Sequence, residues 1–304
     1  MLSSSMKILL FGADGQLGWQ LRRSLGVVGS VTALTRSSTP CGDLSDAAGI
    51  ARAVRELRPD AIVNAAAYTA VDRAESQTEA AFAVNHAACD VLAAEAARIG
   101  AWLVHYSTEY VFDGSGHAPW RETDATAPLN AYGRSKLAGE QAIAAACPRH
   151  LVLRTSWLFD TWGDNFLKWL LRAASLRPAL DIVDDQWGAP TRAALVADVT
   201  AHLLRAAAPQ LAGIYHVAAA GETSRHGYAS YALECAAACG LPLQAGAGTL
   251  RGVPSTTFAT PAARPANSRL DTARLRSSFG LVLPPWQDGV RAVVAEIAAG
   301  RTAL

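Results

Sequence analysis

Two side chains with complementary acid–base chemistry, Tyr132 and Lys136, stand four residues apart in a segment with helical spacing. Positions i and i+4 share one face of a helix, so the phenol and the ammonium can point into one site. A free phenol has a pKa near ~10, and a neighbouring ammonium favours the phenolate and lowers that pKa. The spacing therefore predicts an acid–base unit, although such pairs also occur by chance on solvated helices.

Two hydroxyl residues, Ser107 and Thr108, end an apolar stretch just upstream of this pair. Parallel sheets bind ligands at the carboxyl ends of their strands, so a strand here would place both hydroxyls at that edge. A hydroxyl can then hydrogen-bond a carbonyl oxygen that Tyr132 protonates while hydride arrives at the carbon. Thr108, Tyr132 and Lys136 are accordingly the predicted catalytic residues.

Short apolar runs alternate with amphipathic helical segments from the start of the chain to about residue 155. This alternation predicts parallel βαβ units with helices on both faces of the sheet. We predict an α/β fold with a Rossmann-type, doubly wound parallel sheet at residues 6–155. Residues 156–304 have more irregular, proline-rich connections, which predict a smaller, interleaved substrate-binding part with some segments returning to the core.

A glycine-rich turn, FGADGQLG, follows the first apolar run and opens the first helical segment. Glycines permit a tight turn and close backbone approach, and the helix amino terminus offers free N–H groups to a pyrophosphate. An ordinary glycine-rich loop is the alternative, but the position after a strand favours dinucleotide binding. The residues predicted to hold the cofactor here are Gly12, Asp14, Gly15, Gln16, Leu17 and Gly18.

The end of the second apolar run, VTALTRSS, bears on the choice of cofactor. An acidic residue there suits the ribose of NAD, whereas an arginine accommodates a 2′-phosphate. Arg36 stands at this point and no carboxylate follows before Asp43, so NADPH is predicted and NADH stays open. Further predicted cofactor contacts are Asp43, Leu44, Ala65, Ala66 and Ala67, with Tyr132 and Lys136.

The composition excludes several classes of function. The chain has 304 residues, 51% hydrophobic, with a formal net charge of +1 and no basic cluster, which argues against a nucleic-acid partner. No apolar run reaches the ~18 residues that span a bilayer, so no membrane partner is expected. The five cysteines are irregularly spaced and favour free thiols in a reducing compartment, which predicts a cytoplasmic protein.

Seven motifs in this order resemble the extended short-chain dehydrogenase/reductases and, within them, the dTDP-4-dehydrorhamnose reductases. They are GADGQLG, NAAAYTAVD, STEYVFDG, PLNAYGRSK, LRTSWLF, DDQWGAPT and RPANSRLD. The glycine turn and Tyr-x-x-x-Lys are shared by the whole superfamily, whereas STEYVFDG, TSWLF and RPANSRLD are more specific. The resemblance runs from about Lys7 to the carboxyl terminus.

The resemblance implies reduction of the C4 ketone of dTDP-4-dehydro-L-rhamnose to dTDP-L-rhamnose with NAD(P)H as hydride donor. Tyr132 would protonate the nascent alkoxide, Lys136 would tune the phenol and bind the nicotinamide ribose, and Thr108 would hydrogen-bond the reacting oxygen. Trp157 would pack its indole face against the sugar. The residues that the resemblance places at the nucleotide-sugar are Thr69, Val71, Thr108, Glu109, Trp157, Arg264, Asn267 and Ser268.

Two departures from the family pattern stand out. Glu109 replaces the usual aspartate and is one methylene longer, which keeps the charge and changes its reach. Some relatives bind Mg²⁺ at a dimer interface through glutamates, but the matching positions here carry Gln20 and Ala194. An oxygen-rich site loses its charge that way, so no metal is predicted. The resemblance also implies a homodimer.

Three alternatives remain at the level of sequence. Nucleotide-sugar 4,6-dehydratases carry a glutamate where Tyr110 stands, so the base for elimination is missing here. Nucleotide-sugar 4-epimerases lack STEYVFDG but share the cofactor site. A non-catalytic NADP-binding subunit, like the regulatory β subunit of methionine adenosyltransferase, resembles this family too, although the retained Thr108, Tyr132 and Lys136 argue against it.

Overall fold

A computed structural model describes residues 5–300 of the protein. Its strands are β1 (Met6–Phe11), β2 (Gly29–Leu34), β3 (Ala61–Asn64), β4 (Trp102–Thr108), β5 (His150–Thr155), β6 (Leu158–Phe159), β7 (Leu180–Val183), β8 (Trp187–Gly188), β9 (Thr191–Arg192), β10 (Gly213–His216), β11 (Thr223–Ser224) and β12 (Leu250–Val253). Its α-helices are α1 (Gln16–Leu25), α2 (Ala47–Leu57), α3 (Val71–Ser76), α4 (Thr78–Phe82), α5 (Ala88–Ile99), α6 (Ala131–Ala146), α7 (Phe166–Leu176), α8 (Ala193–Ala206), α9 (Arg225–Ala238), α10 (Ala273–Phe279) and α11 (Trp286–Ala298).

The central sheet has six parallel strands in the order β2-β1-β3-β4-β5-β10. The predicted α/β, Rossmann-type fold is therefore confirmed. Strand order reverses between β1 and β3, and open sheets of this kind form their ligand crevice at such a switch point. In register, Phe11 of β1 lies beside Asn64 of β3, so the segments that follow both strands emerge together.

Helices cover both faces of this sheet because its strands are apolar on both sides. All seven residues of β4 are buried, as expected for a strand between two helical layers. One layer contains α1 and α8, which pack on each other, and the opposite layer contains α2, α5 and α6. A separate apolar cluster joins α7, α9 and α11 outside the sheet.

Segments beyond residue 155 contribute to both regions. Strand β10 forms an edge of the central sheet and α8 covers one of its faces, whereas α7, α9 and α11 build the separate cluster. The division into domains at residues 155 and 156 stays a prediction, and positions 301–304 of its second part lie outside the described residues. Within residues 5–300, no helix combines the length and apolar character that a bilayer crossing demands.

Candidate active site

A cavity of about 790 Å³ opens at the carboxyl edge of the sheet, at the switch point between β1 and β3. It is lined by most residues that the sequence predicted for the site. These are Gly12, Asp14, Gly15, Gln16, Leu17, Arg36, Asp43, Leu44, Ala65, Ala66, Ala67, Thr69, Val71, Thr108, Glu109, Tyr132, Lys136 and Trp157. Segments far apart in sequence therefore form one continuous site.

Two glycines of the glycine turn, Gly12 and Gly18, are packed so closely that they admit no side chain. Gly12 has a φ of +75°, and a Cβ there would lie 2.6 Å from the backbone nitrogen of Ala66. A Cβ on Gly18 would lie 1.9 Å from the carbonyl oxygen of Gly12. Gly18 does not line the cavity, so its place is beneath the turn, where it permits close packing of α1 against the turn.

Helix α6 presents Tyr132 and Lys136 to the cavity in its first two turns. The helix begins after Asn130, whose side chain accepts a hydrogen bond from Gly133 N at 2.8 Å, the usual N-cap interaction. Lys136 is 2% exposed, and its Nζ lies 3.1 Å from Nε2 of His105 on β4. The ring of Tyr132 meets that of Tyr110 edge to face at 5.6 Å. The phenol and the ammonium thus line one sheltered site.

The expected lowering of the pKa of Tyr132 is wrong for this structure. Burial raises the pKa of the phenol above its ordinary value, the neighbouring Glu109 carboxyl raises it further, and a hydrogen bond with Thr108 offsets part of the rise. Lys136 does not counter this rise, because its ammonium lies against His105. Burial also lowers the pKa of Lys136. Tyr132 is therefore protonated at neutral pH.

Thr108 and Glu109 form a buried polar pair at the end of β4. Thr108 Oγ1 donates to Glu109 Oε2 at 2.8 Å, and both residues are at most 5% exposed. Burial raises the pKa of Glu109 to about 7, and hydrogen bonds from Thr108 and Ser268 oppose that rise. The site therefore holds a carboxyl group that changes charge near neutral pH beside the hydroxyl of Thr108.

Comparison with known proteins identifies the family. Residues 6–299 match the model of the RmlD substrate binding domain. The dTDP-4-dehydrorhamnose reductases of Salmonella typhimurium and Burkholderia thailandensis are 50% and 46% identical to the chain, each over 96% of it and over 98% and 99% of their own lengths. The chain belongs to the dTDP-4-dehydrorhamnose reductase family.

Solved structures of the family agree with the fold. The dTDP-4-dehydrorhamnose reductase of Bacillus anthracis, in complex with NADP, superposes with a TM-score of 0.88 at 31% identity, over 96% of this chain and 99% of that one. The resemblance that the motifs carried is thereby confirmed across the full length of the fold.

The reductase motif LRTSWLF delivers Trp157 to the cavity in an unusual conformation. Its φ of +48° lies in the left-handed region, which is costly for a bulky residue and concentrates at functional sites. The guanidinium of Arg225 lies over the indole, 3.8 Å from the ring centroid, and the backbone of Gly188 packs against the same ring system. The indole face that was expected to be open to the sugar is therefore covered by Arg225, and contact between Trp157 and the sugar stays a prediction.

Three residues that the family resemblance placed at the substrate do not line the cavity. Arg264 donates to both carboxylate oxygens of Asp72, at 3.0 and 2.7 Å. The Asn267 amide donates to the carbonyl of Ala118 at 2.8 Å, which fixes a loop. Ser268 acts on the site indirectly, because its hydroxyl group lowers the pKa of the Glu109 carboxyl.

The glycine-turn end of the cavity carries groups of both charges. Asp43 Oδ1 accepts from the backbone and hydroxyl of Ser45, at 2.9 and 2.8 Å, and these hydrogen bonds lower the pKa of Asp43. Arg36 is exposed at the cavity rim and forms no ion pair within residues 5–300. Asp43 is thus held as a carboxylate by its own loop, while Arg36 can meet a ligand.

The sequence missed several lining residues, of which Arg225 and Tyr110 carry the most chemistry. Arg225 is the first residue of α9 and lies in a segment, ETSRHGY, with no catalytic motif, so only its position in the structure reveals it.

Within residues 5–300 no three histidine, cysteine, aspartate or glutamate side chains cluster as metal ligands. Of the two positions matched to metal ligands in relatives, Ala194 donates its backbone N–H to Asp160 at 2.9 Å, and Gln20 lies on α1.

Proposed function

We propose that the chain reduces the C4 ketone of dTDP-4-dehydro-L-rhamnose to dTDP-L-rhamnose with NAD(P)H. The observation that carries this proposal is the convergence of Thr108, Tyr132 and Lys136 on one cavity beside the glycine turn, in a chain of this family. Family membership alone would also fit a non-catalytic subunit. A complete proton-donating set at the cavity favours an enzyme.

The residues present fit a nicotinamide dinucleotide. The turn at Gly12 leaves no room for a methyl group, so its backbone can approach a pyrophosphate closely. Two buried hydroxyl oxygens that line the cavity, Ser107 Oγ and Thr155 Oγ1, have no hydrogen-bond partner within residues 5–300, and a bound ligand would satisfy them. When bound, the reduced nicotinamide supplies the hydride that reaches C4 of the sugar.

Tyr132 supplies the proton that balances this hydride. The ketone gains a C–H bond at C4 and an O–H bond at its oxygen, and the phenol proton of Tyr132 forms the latter. Because burial keeps Tyr132 protonated at neutral pH, the reduction begins with the donor in its correct form. Thr108 would hydrogen-bond the same oxygen, and Lys136 would bind the ribose hydroxyls of the cofactor.

NADPH is the proposed cofactor, with NADH as the alternative. Arg36 supports this choice, because it lines the cavity where a ribose 2′-phosphate is expected and no carboxylate stands at the end of β2. The related reductase from Bacillus anthracis was solved in complex with NADP. We carry the binding of this cofactor to the present chain as part of the proposal.

One assay separates the enzyme from a binding subunit. Purified protein is incubated with NADPH and dTDP-4-dehydro-L-rhamnose, and the absorbance of the reduced cofactor is followed over time. We expect loss of absorbance in step with formation of dTDP-L-rhamnose. NADPH binding without any turnover would reject the enzymatic function and favour the binding subunit.

The proposal also includes the location and the assembly of the protein. All five cysteines are unpaired in the structure, which suits the predicted cytoplasmic location. The homodimer stays a prediction, and equilibrium sedimentation of the purified protein tests it.

A further inference from the structure

Arg225 lines the cavity at the end away from the glycine turn. It is the first residue of α9, and it lies there together with Trp157, Glu109 and Tyr110. None of the motifs that revealed the family includes it. Its chemistry must therefore be inferred from its surroundings.

The guanidinium of Arg225 stands apart from the other sheltered arginines. Five arginines within residues 5–300 are buried or partly buried, and four of them pair with a carboxylate. These four arginines make five ion pairs: Arg154 with Glu140, Arg192 with both Asp160 and Glu296, Arg264 with Asp72, and Arg269 with Glu222. The fifth, Arg225, makes no side-chain hydrogen bond or ion pair with any residue in this range.

A partly buried cation without an ion-pair or hydrogen-bond partner is costly, because it has lost part of its hydration without a direct contact to replace it. Burial accordingly lowers the pKa of Arg225 from its ordinary value. Glu109 lines the same cavity and its charge opposes this lowering, but its carboxyl group makes no ion-pair contact with Arg225 and accepts a hydrogen bond from Thr108 instead. The missing partner of Arg225 is therefore expected to come from a ligand.

Two aromatic rings hold the guanidinium in place. Its central carbon lies 3.8 Å from the Trp157 ring centroid and 5.3 Å from that of Phe166. The N–H donors of arginine lie in the plane of the guanidinium group. Stacking of that plane on an aromatic ring therefore leaves the donors free to bind a ligand. The group is thus oriented in advance, which reduces the entropy lost when a ligand binds.

We propose that Arg225 binds the diphosphate of the nucleotide-sugar substrate through charge-assisted hydrogen bonds. A planar guanidinium matches the paired oxygens of a phosphate, and the cofactor pyrophosphate belongs to the glycine turn at the opposite end of the cavity. Arg264 adds positive charge nearby, but its guanidinium already donates two hydrogen bonds to Asp72. This inference rests on the proposed function, because it assumes a nucleotide-sugar as substrate.

The experiment compares the wild type with Arg225→Met, Arg225→Lys and the control Arg251→Met, which removes an exposed arginine outside the cavity. Methionine keeps the packing on Trp157 and removes the charge. Calorimetric titration with dTDP measures the affinity for the diphosphate, and steady-state kinetics give KM for the nucleotide-sugar and kcat. Titration with NADPH measures the cofactor site separately.

For Arg225→Met we expect dTDP affinity to fall about 10- to 100-fold, and KM to rise by a similar factor, as for a lost hydrogen bond to a charged group. NADPH affinity should stay within about twofold, because the cofactor lies at the other end. Arg225→Lys should recover only part of the loss, since lysine is a point charge without the planar fork. Arg251→Met should match the wild type.

Unchanged dTDP affinity in Arg225→Met, or no dTDP binding by the wild type, would overturn the proposal. So would a fall in kcat with a shifted pH profile and unchanged KM, because Arg225 would then act through Glu109. Should the methionine variant not fold, Arg225→Gln takes its place, and full dTDP affinity in Arg225→Gln has the same meaning. A wild type without turnover rejects the proposed function itself, whereas turnover with no effect at Arg225 rejects only this inference.

Discussion

The two ends of the cavity are built in different ways. The glycine-turn end is shaped by backbone and small side chains from three segments that each follow a strand, at Gly12, Asp43 and Ala65–Ala67. The opposite end is shaped by the side chains of Thr108, Trp157 and Arg225, which come from three separate segments. A ligand therefore meets mostly closely packed backbone at the first end, with the charges of Arg36 and Asp43 beside it, and mostly sheltered polar and charged side chains at the other.

This difference has a physical consequence for substitutions. At the glycine turn one added methyl group already collides with backbone, at 2.6 Å for Gly12. At the other end the chemical state of the side chains matters, because burial shifts the pKa values of Tyr132 and Glu109. The first end should be sensitive to volume and the second to chemical identity.

The largest effect is expected from Tyr132→Phe, which removes one oxygen and almost no volume. We expect kcat to fall about 10²- to 10⁴-fold, because the proton donor is lost, while NADPH affinity stays within about twofold. Rapid-mixing kinetics and NADPH titration measure the two quantities. The matched control is Tyr231→Phe, whose hydroxyl bonds Arg291 outside the cavity. Normal turnover in Tyr132→Phe would exclude the phenol as the proton donor.

The next largest effect concerns the pH dependence of stability that Glu109 causes at the end of the cavity opposite the glycine turn. The folded protein keeps the Glu109 proton up to a pKa of about 7, whereas the ordinary value is 4.5, so the unfolded chain binds fewer protons between these values. The contribution of Glu109 to the free energy of unfolding should therefore fall as pH rises through this window, by up to about 3 kcal/mol. The buried His105 and His216, whose pKa values are lowered, contribute in the opposite sense, so the quantity to compare is the difference between the wild type and Glu109→Gln, measured by urea unfolding at about pH 4.5 and about pH 8.

The control for this experiment is Glu56→Gln, an exposed carboxyl group outside the cavity. It should follow the wild type at both pH values. If the difference between wild type and Glu109→Gln is the same at the lower and the higher pH, Glu109 does not titrate in this range.

Gly12→Ala tests the glycine-turn end of the cavity. A collision with Ala66, added to a positive φ, should lower the free energy of unfolding by about 1–3 kcal/mol and NADPH affinity by at least about tenfold. Gly100→Ala is a matched control, because Gly100 has a φ of +72° and open space around its Cβ position. Equal behaviour of the two variants would show that backbone strain, not close approach, governs this end.

The smallest effect is expected from Arg36→Ala at the exposed rim. Loss of one charged contact to a ribose phosphate should weaken NADPH binding about three- to tenfold and leave NADH binding unchanged. Fluorescence titration with both cofactors measures the ratio, with the exposed Arg205→Ala as control. A parallel loss for NADPH and NADH would contradict a 2′-phosphate contact at Arg36.

The two ends also differ in how far the sequence predicted them. The glycine turn, the alanines after β3 and the Tyr132–Lys136 spacing were all visible as local patterns, because each follows from a strand end or a helical period. Only Gly18 of the predicted cofactor set lies outside the cavity lining. The same local patterns predicted the alternation of strands and helices in the sheet region.

Long-range pairing decided the rest. Arg264 meets Asp72 across 192 positions of sequence, which removes it from the cavity. Arg225 reaches Trp157 from a helix that no motif marks, and it covers the indole face that was expected to meet the sugar. Such contacts depend on how distant segments pack, so no local spacing reveals them.

The sequence by itself thus determined the fold class and the family, and it predicted the catalytic triplet, because periodicity and short motifs act over a few residues. Only the tertiary structure decided which sheltered arginine within residues 5–300 is left without a partner and which way the pKa of Tyr132 shifts. Both depend on burial, and burial is the sum of contacts from the whole folded chain.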